Sequence, residues 1–181
     1  MDISLPENIG IHILEERDRF FDDSSIVPRD QRPRLVLLMG APAVGKTTIR
    51  KDRYSKGYVV VDAAEIFLNL SRGGYYSFPK AFEEPMQLVG IQVAKRAVFQ
   101  LRNIVVELIG ASFEPLKELL DAMYALGYEI DVQLITCDYE ETVRRNANRG
   151  RDCISAHYAE RFQRAWLVDA AKEALALIEG M

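Results

Sequence analysis

The chain has 181 residues, 49% of them hydrophobic, with 23 basic against 27 acidic side chains and a formal charge of −4. Such a length and composition suit one globular domain with a sizeable core, and the acidic balance excludes a broad positive field for holding nucleic acid or an anionic membrane. Cys137 and Cys153 are too few and too far apart for a disulfide framework or a metal-binding pair, so two free thiols in a reducing compartment are expected.

The N-terminus, MDISLPENIGIHILEERDRFF, is acidic and broken by Pro6. A signal peptide has the opposite order, basic then apolar, and no apolar run approaches about 18 residues, so a cytoplasmic protein is expected. Ile11, Leu14, Phe20 and Phe21 recur at helical spacing, which predicts a helix over about residues 7–23. The turn-rich SSIVPRDQRPR follows, which divides the chain into a lead-in and connector over 1–33 and a main domain over 34–181. RLVLLM, YVVVD, NIVVEL and IDVQLITC have the continuous apolar character of strands buried on both faces. Helical patterns lie between and after them, over about 45–56, 80–102, 114–126, 139–148 and 155–178. Strands alternating with helices predict an α/β fold, a mainly parallel sheet with helices on both faces.

After the first strand comes Gly40-Ala41-Pro42-Ala43-Val44-Gly45-Lys46-Thr47, which satisfies the phosphate-binding loop pattern in full. Glycines let the backbone turn its N–H groups inward, and the helix that follows presents its positive end. Lys46 neutralises phosphate oxygens, the Thr47 hydroxyl can ligate Mg²⁺, and Thr48 completes the candidate nucleotide-binding stretch. The loop predicts binding of ATP with Mg²⁺ but does not name what receives the phosphoryl group.

Carboxylates at the other strand ends bear on that question, because the carboxyl edge of an open parallel sheet forms the ligand crevice. Asp62 ends YVVVD, where it can take the proton of an attacking hydroxyl or orient a metal-bound water; the alternative is an N-cap for AAEIFLNL. Glu65 lies one helical turn on and can share or take over that role. Glu107 in NIVVEL is costly to bury unpaired, so it either faces the crevice, touching acceptor hydroxyls or a metal-bound water, or pairs with a nearby arginine. Asp138 reads as a helix cap before YEETVRR.

ETVRRNANRGR concentrates Arg144, Arg145, Arg149 and Arg151 in an acidic chain. Arg145 and Arg149 are four apart and share a helix face, where two guanidinium groups can close over ATP phosphates; the alternative is a solvated face paired with Glu140 and Glu141. Gly150 suggests a mobile lid. His157 has no Ser or Cys partner at a recognisable spacing and is read as polar decoration. Tyr75, Tyr76 and Phe78 fall on a loop where either an acceptor-binding segment or simple loop packing fits.

In order and spacing, GAPAVGKTT, YVVVD, NIVVEL, LGYEIDVQLI and RRNANRGR resemble the zeta-toxin family of P-loop kinases over about residues 34–160. The resemblance implies ATP- and Mg²⁺-dependent phosphorylation of a hydroxyl of a sugar nucleotide, UDP-N-acetylglucosamine in that family, or of another small molecule on the same scaffold. It also implies an antitoxin-like protein partner. It assigns Lys46 and Thr47 to triphosphate and metal, Asp62 to the acidic motif, Glu107 to the substrate side, and Arg145 and Arg149 to phosphate contacts. This sequence departs from the family pattern at three places. The second aspartate of the acidic motif is Ala64, leaving Asp62 or Glu65 as base; the family's Glu-Gly-Thr is Glu107-Leu108-Ile109; and ALALIEGM ends the chain with no further apolar strand. A rival reading is a nucleotide-dependent switch or regulatory ATPase that contacts a protein through residues 1–33. Phosphorylation of nucleic-acid ends is disfavoured by the net acidity.

Overall fold

A computed structural model of the chain describes residues 7–21, 25–71, 80–109, 113–149 and 166–180. Its elements in chain order are α1 (Ile9–Arg19), β1 (Arg34–Met39), α2 (Lys46–Arg53), β2 (Val59–Asp62), α3 (Ala63–Leu70), a 3₁₀ turn (Lys80–Phe82), α4 (Glu83–Phe99), β3 (Ile104–Leu108), α5 (Phe113–Ala125), β4 (Glu129–Leu134), α6 (Tyr139–Ala147) and α7 (Trp166–Glu179). All four expected strands are present, and they form one parallel sheet in the order β2-β3-β1-β4. The fold is α/β, as the alternation of strand and helix patterns predicts.

Five consecutive residues of β1, Leu35 to Met39, are buried. Their side chains alternate between two cores, as a strand covered on both faces requires. Leu35, Leu37 and Met39 join the larger core, with Phe67 of α3 and Leu120 of α5. Val36 and Leu38 join a smaller one with Val105 and Tyr54, against which Ile49 of α2 packs. Helix α4 buries Pro85, Val89, Val93 and Ala97, a four-residue spacing that draws one stripe along the helix. Pro85 lies in the first turn, where its missing N–H costs no helical bond. Ile13 of α1 and the following Phe20 reach the larger core from the predicted lead-in.

The register positions the site. Leu38 pairs with Glu107, and Glu107 pairs with Asp62. Paired residues of parallel strands point to the same face, so two carboxylates stand side by side at the carboxyl edge, on the face covered by α2. The first helix starts at Ile9 and α2 ends at Arg53, shorter than their sequence patterns suggest. Residues 150–165 lie outside the described residues, which leaves Trp166–Glu179 of the long C-terminal pattern. Among the described residues no helix is long and apolar enough to cross a membrane.

Candidate functional site

The loop from Gly40 to Gly45 runs from the end of β1 into α2 with three left-handed residues, Gly40 at φ +150°, Ala43 at +63° and Gly45 at +113°. Gly40 is sterically obligatory, since a Cβ there would fall 2.3 Å from the Ile135 carbonyl oxygen. Ala43 adopts left-handed backbone without being glycine, a strained state characteristic of functional loops. The Lys46 ammonium donates to the Gly40 and Ala41 carbonyls at 2.8 and 2.9 Å. Burial pushes its pKa down to about 8, with Arg149 adding to the depression and Glu107 and Asp62 opposing it. A buried ammonium held this way gains from a polyanion.

Arg50 sits one turn after Lys46 on α2 and is buried against the two paired carboxylates. Its Nε donates to Glu107 Oε1 at 2.5 Å, and its Nη2 lies 3.4 Å from Asp62 Oδ2 and 3.6 Å from Glu65 Oε2. Burial disfavours the guanidinium charge, but the three carboxylates outweigh it and raise its pKa. Glu107 is shifted upward, first by burial and then by Asp62, against the hydrogen bonds from Arg50 and Thr47. Thr47 Oγ1 donates to Glu107 Oε2 at 2.8 Å. A hydroxyl that gives its hydrogen to a carboxylate keeps its lone pairs for a cation.

Glu107 lines the cleft and is at the same time the partner of a buried arginine. Asp62 likewise lines the cleft while capping α3, its Oδ1 accepting from the Ala64 and Glu65 amides at 2.9 and 3.5 Å. Glu65 does not reach the cleft lining; it is half-exposed behind Arg50. Arg50 itself was not singled out by sequence reasoning. Its signal was present in KTTIR, an arginine four residues after the loop lysine and therefore on the same helix face.

Two clefts flank the loop. One, of about 150 Å³, is bounded by Pro42, Ala43, Lys46, Thr47, Asp62 and Glu107, with Ala63, Ala64, Met86, Leu108 and Ile109 as its apolar wall. The other, of about 550 Å³, is bounded by Val44, Thr48, Ile49 and Arg145. Ala43, Gly45 and Arg149 line both. Arg149 therefore stands where the two clefts meet. It lies beyond the end of α6, its amide donating to the Asn146 carbonyl, rather than on a helix face shared with Arg145. Arg145 Nη1 donates to the Val44 carbonyl at 3.1 Å, tying α6 to the loop. Arg144 and Arg145 also share Glu141, so the paired-face alternative is realised for that part of the cluster. Asp138 occupies the N-cap position of α6, as its reading as a helix cap expects, with its backbone carbonyl accepting from the Thr142 amide and its side chain making no capping bond. Tyr75, Tyr76, Phe78, Gly150, Arg151, Cys153 and His157 lie outside the described residues.

Among the described residues no group of three or more His, Cys, Asp or Glu side chains could hold a metal ion. Mg²⁺ keeps several waters and takes few protein ligands beside substrate phosphates, so it would need only one or two donors from the chain. The Thr47 hydroxyl, with Glu107 behind it, is a suitable donor set.

No curated protein matches the chain. Among solved structures, the PezAT chromosomal toxin-antitoxin system of Streptococcus pneumoniae aligns with a TM-score of 0.67 at 16% identity, over 96% of this chain and 74% of that one. The AvrRxo1-ORF1:-ORF2 structure with ATP aligns at 0.61 and 15% identity, over 92% of this chain and 65% of that one. The Pnkp1/Rnl/Hen1 RNA repair complex aligns at 0.60 and 20% identity, with 80% of this chain spanning 47% of its counterpart. At these identities the likeness concerns the fold, which is that of P-loop kinases. A family model described as zeta toxin matches residues 17–176, most of the chain, and the protein belongs to the zeta-toxin family.

Proposed function

We propose that the protein is an ATP-dependent phosphotransferase acting on a hydroxyl group of a small molecule. The observation that carries this reading is the register pairing of Asp62 with Glu107 at the edge of the nucleotide loop, in a cleft that also holds Lys46, Thr47 and Arg149. The larger cleft, with Thr48, Arg145 and Arg149, suits the nucleotide body, and the smaller one suits the acceptor. The acceptor oxygen attacks the γ-phosphorus, the bond to the β,γ-bridging oxygen breaks, and ADP departs. Asp62 Oδ2 takes the hydroxyl proton. Lys46 and Arg149 stabilise charge on the transferring group, which is most of the work in phosphoryl transfer. Mg²⁺ held at Thr47 would neutralise the β- and γ-oxygens. Asp62 is favoured over Glu65 as base because Asp62 lines the cleft.

The family's acceptor, UDP-N-acetylglucosamine, is the first sugar nucleotide to test, and an antitoxin-like protein is the partner that membership suggests. The decisive experiment offers γ-labelled ATP with a library of hydroxyl compounds and follows label by mass. Transfer that Asp62→Asn abolishes while Mg-ATP still binds supports the reading. ATP binding with no labelled acceptor from any class would favour the regulatory ATPase instead.

A further inference from the structure

Resting on the kinase reading, we infer that Arg50 is a positioning residue for the transfer: one buried guanidinium fixes the Asp62 oxygen that takes the acceptor's proton and, through Glu107, the Thr47 hydroxyl that would hold Mg²⁺. Asp62 and Glu107 are register partners on β2 and β3, so their carboxylates stand side by side, where a forked cation can bond both from one position. Arg50 meets them from α2, donating from Nε to Glu107 Oε1 at 2.5 Å and from Nη2 toward Asp62 Oδ2 at 3.4 Å. The other oxygen of each carboxylate is held as well. Glu107 Oε2 accepts from Thr47 Oγ1 at 2.8 Å, and Asp62 Oδ1 accepts from the Ala64 amide at 2.9 Å. Neither carboxylate turns without breaking bonds at both ends. Asp62 Oδ2 retains a lone-pair site for the acceptor's proton, and Thr47, whose hydrogen points to Glu107, keeps its lone pairs for the metal.

As a stabilising device this cluster is poor, because apolar side chains of similar volume hold such a place as well or better. What the ions supply is direction. Phosphoryl transfer must align a base and a metal, and here the base and the metal's hydroxyl are joined by a chain of bonds, from Asp62 to Arg50, Glu107 and Thr47. Outer partners of this kind orient the groups that touch metal and substrate, and losing one costs about 10- to 100-fold in metal affinity or activity.

The test uses Arg50→Lys, which keeps a positive charge but not the fork. The assay takes γ-labelled ATP with UDP-N-acetylglucosamine or, where wild type does not label that, the hydroxyl compound it labels fastest. Verified as folded by its melting transition, the variant should bind ATP in EDTA as wild type does, because the Lys46 bonds to the loop are untouched. Mg²⁺ should strengthen that binding about tenfold less than in wild type, and kcat should fall at least about tenfold with little change in the acceptor's KM. Leu120→Ala, a truncation in the core on the sheet's opposite face, should lower stability with neither effect. If Arg50→Lys fails to fold, wild type decides: the Arg50 Nε–Hε resonance should shift when Mg²⁺ joins bound ATP and return on chelation. Wild-type kcat in folded Arg50→Lys, an unchanged Mg²⁺ effect, or a resonance indifferent to Mg²⁺ would overturn this inference and leave the kinase reading standing. Mg-ATP binding by wild type with no label on any acceptor would overturn both.

Discussion

Two arginine–carboxylate clusters flank the nucleotide loop, and they differ in almost everything except their contact distances. Behind the loop, Arg50, Asp62 and Glu107 have side chains 8%, 9% and 6% exposed. On α6, Arg144 and Arg145 converge on Glu141 with three hydrogen bonds of 2.7 Å, but these side chains are 65%, 44% and 30% exposed. The outer contacts fall between the inner ones of 2.5 and 3.4 Å. Water nevertheless screens the outer charges and replaces any lost partner, whereas the inner carboxylates have no such substitute. The environment ranks these pairs, and a list of distances does not.

The largest break in this contrast should come from Arg50→Met. It leaves two buried carboxylates facing each other, and removing one member of a buried ionic cluster costs about 3–5 kcal/mol. Urea unfolding at pH 7 should show that loss, with Arg50→Lys in between. The deficit should shrink as the pH falls toward the ordinary carboxylate range. Glu107 already titrates above its usual value because of burial and Asp62, and taking up a proton removes the repulsion. An Arg50→Met variant as stable as Arg144→Met would erase the distinction between the clusters.

Lys46→Met should act in the opposite direction. The ordinary lysine value of 10.5 falls to about 8 in the folded protein, so keeping the ammonium charged costs about 3 kcal/mol at pH 7, offset in part by its bonds to Gly40 and Ala41. Because the folded value is the lower one, this cost is fully present below about pH 8 and fades as the pH rises to 10.5. The variant should therefore be at least as stable as wild type at pH 7, lose that advantage by about pH 10, and fail to bind ATP. In wild type, ATP affinity should weaken as the pH rises through about 8, which calorimetry in buffers of different ionisation enthalpy would register as proton uptake on binding.

The sequence made the strands, the loop and the acidic strand ends legible because each has a local signature: apolar runs, a fixed glycine–lysine spacing, and carboxylates closing apolar runs. Hidden from it was the register that places Glu107 beside Asp62 rather than one residue off, since strand pairing is a long-range choice. Arg50 was hidden for the same reason. An arginine on an amphipathic helix reads as solvent-facing until the sheet supplies buried carboxylates. That Arg149 does not share a helix face with Arg145 also escaped, because helix ends depend on tertiary contacts and local propensity fixes them only loosely.

A smaller effect tests the loop itself. Ala43 at φ +63° carries a left-handed strain of about 1–2 kcal/mol, which glycine would not have. Glycine also enlarges the unfolded ensemble, at a cost of about 0.4–1 kcal/mol. Ala43→Gly should therefore stabilise the protein by about 0.5 kcal/mol or leave it unchanged. A clear loss in thermal unfolding would mean that the Ala43 methyl contributes packing that outweighs its backbone strain.

The smallest expected effect belongs to Glu141→Gln, on the exposed side of the comparison. Hydrogen bonds from Arg144 and Arg145 hold this carboxyl down to about 2, so it stays ionised throughout the physiological range and the outcome should not depend on pH there. Water takes over the lost contacts, and the melting temperature should stay within the error of calorimetry. What changes is the field at the larger cleft, where Arg145 and Arg149 would then face a nucleotide bound as proposed without the Glu141 charge beside them. ATP affinity should rise about two- to fivefold at low ionic strength, and the gain should vanish in high salt as screening shortens the reach of the arginines. A gain that survives high salt would instead mean that Arg145 turns from Glu141 to make a direct, desolvated contact with phosphate, and the outer cluster would then belong with the inner one.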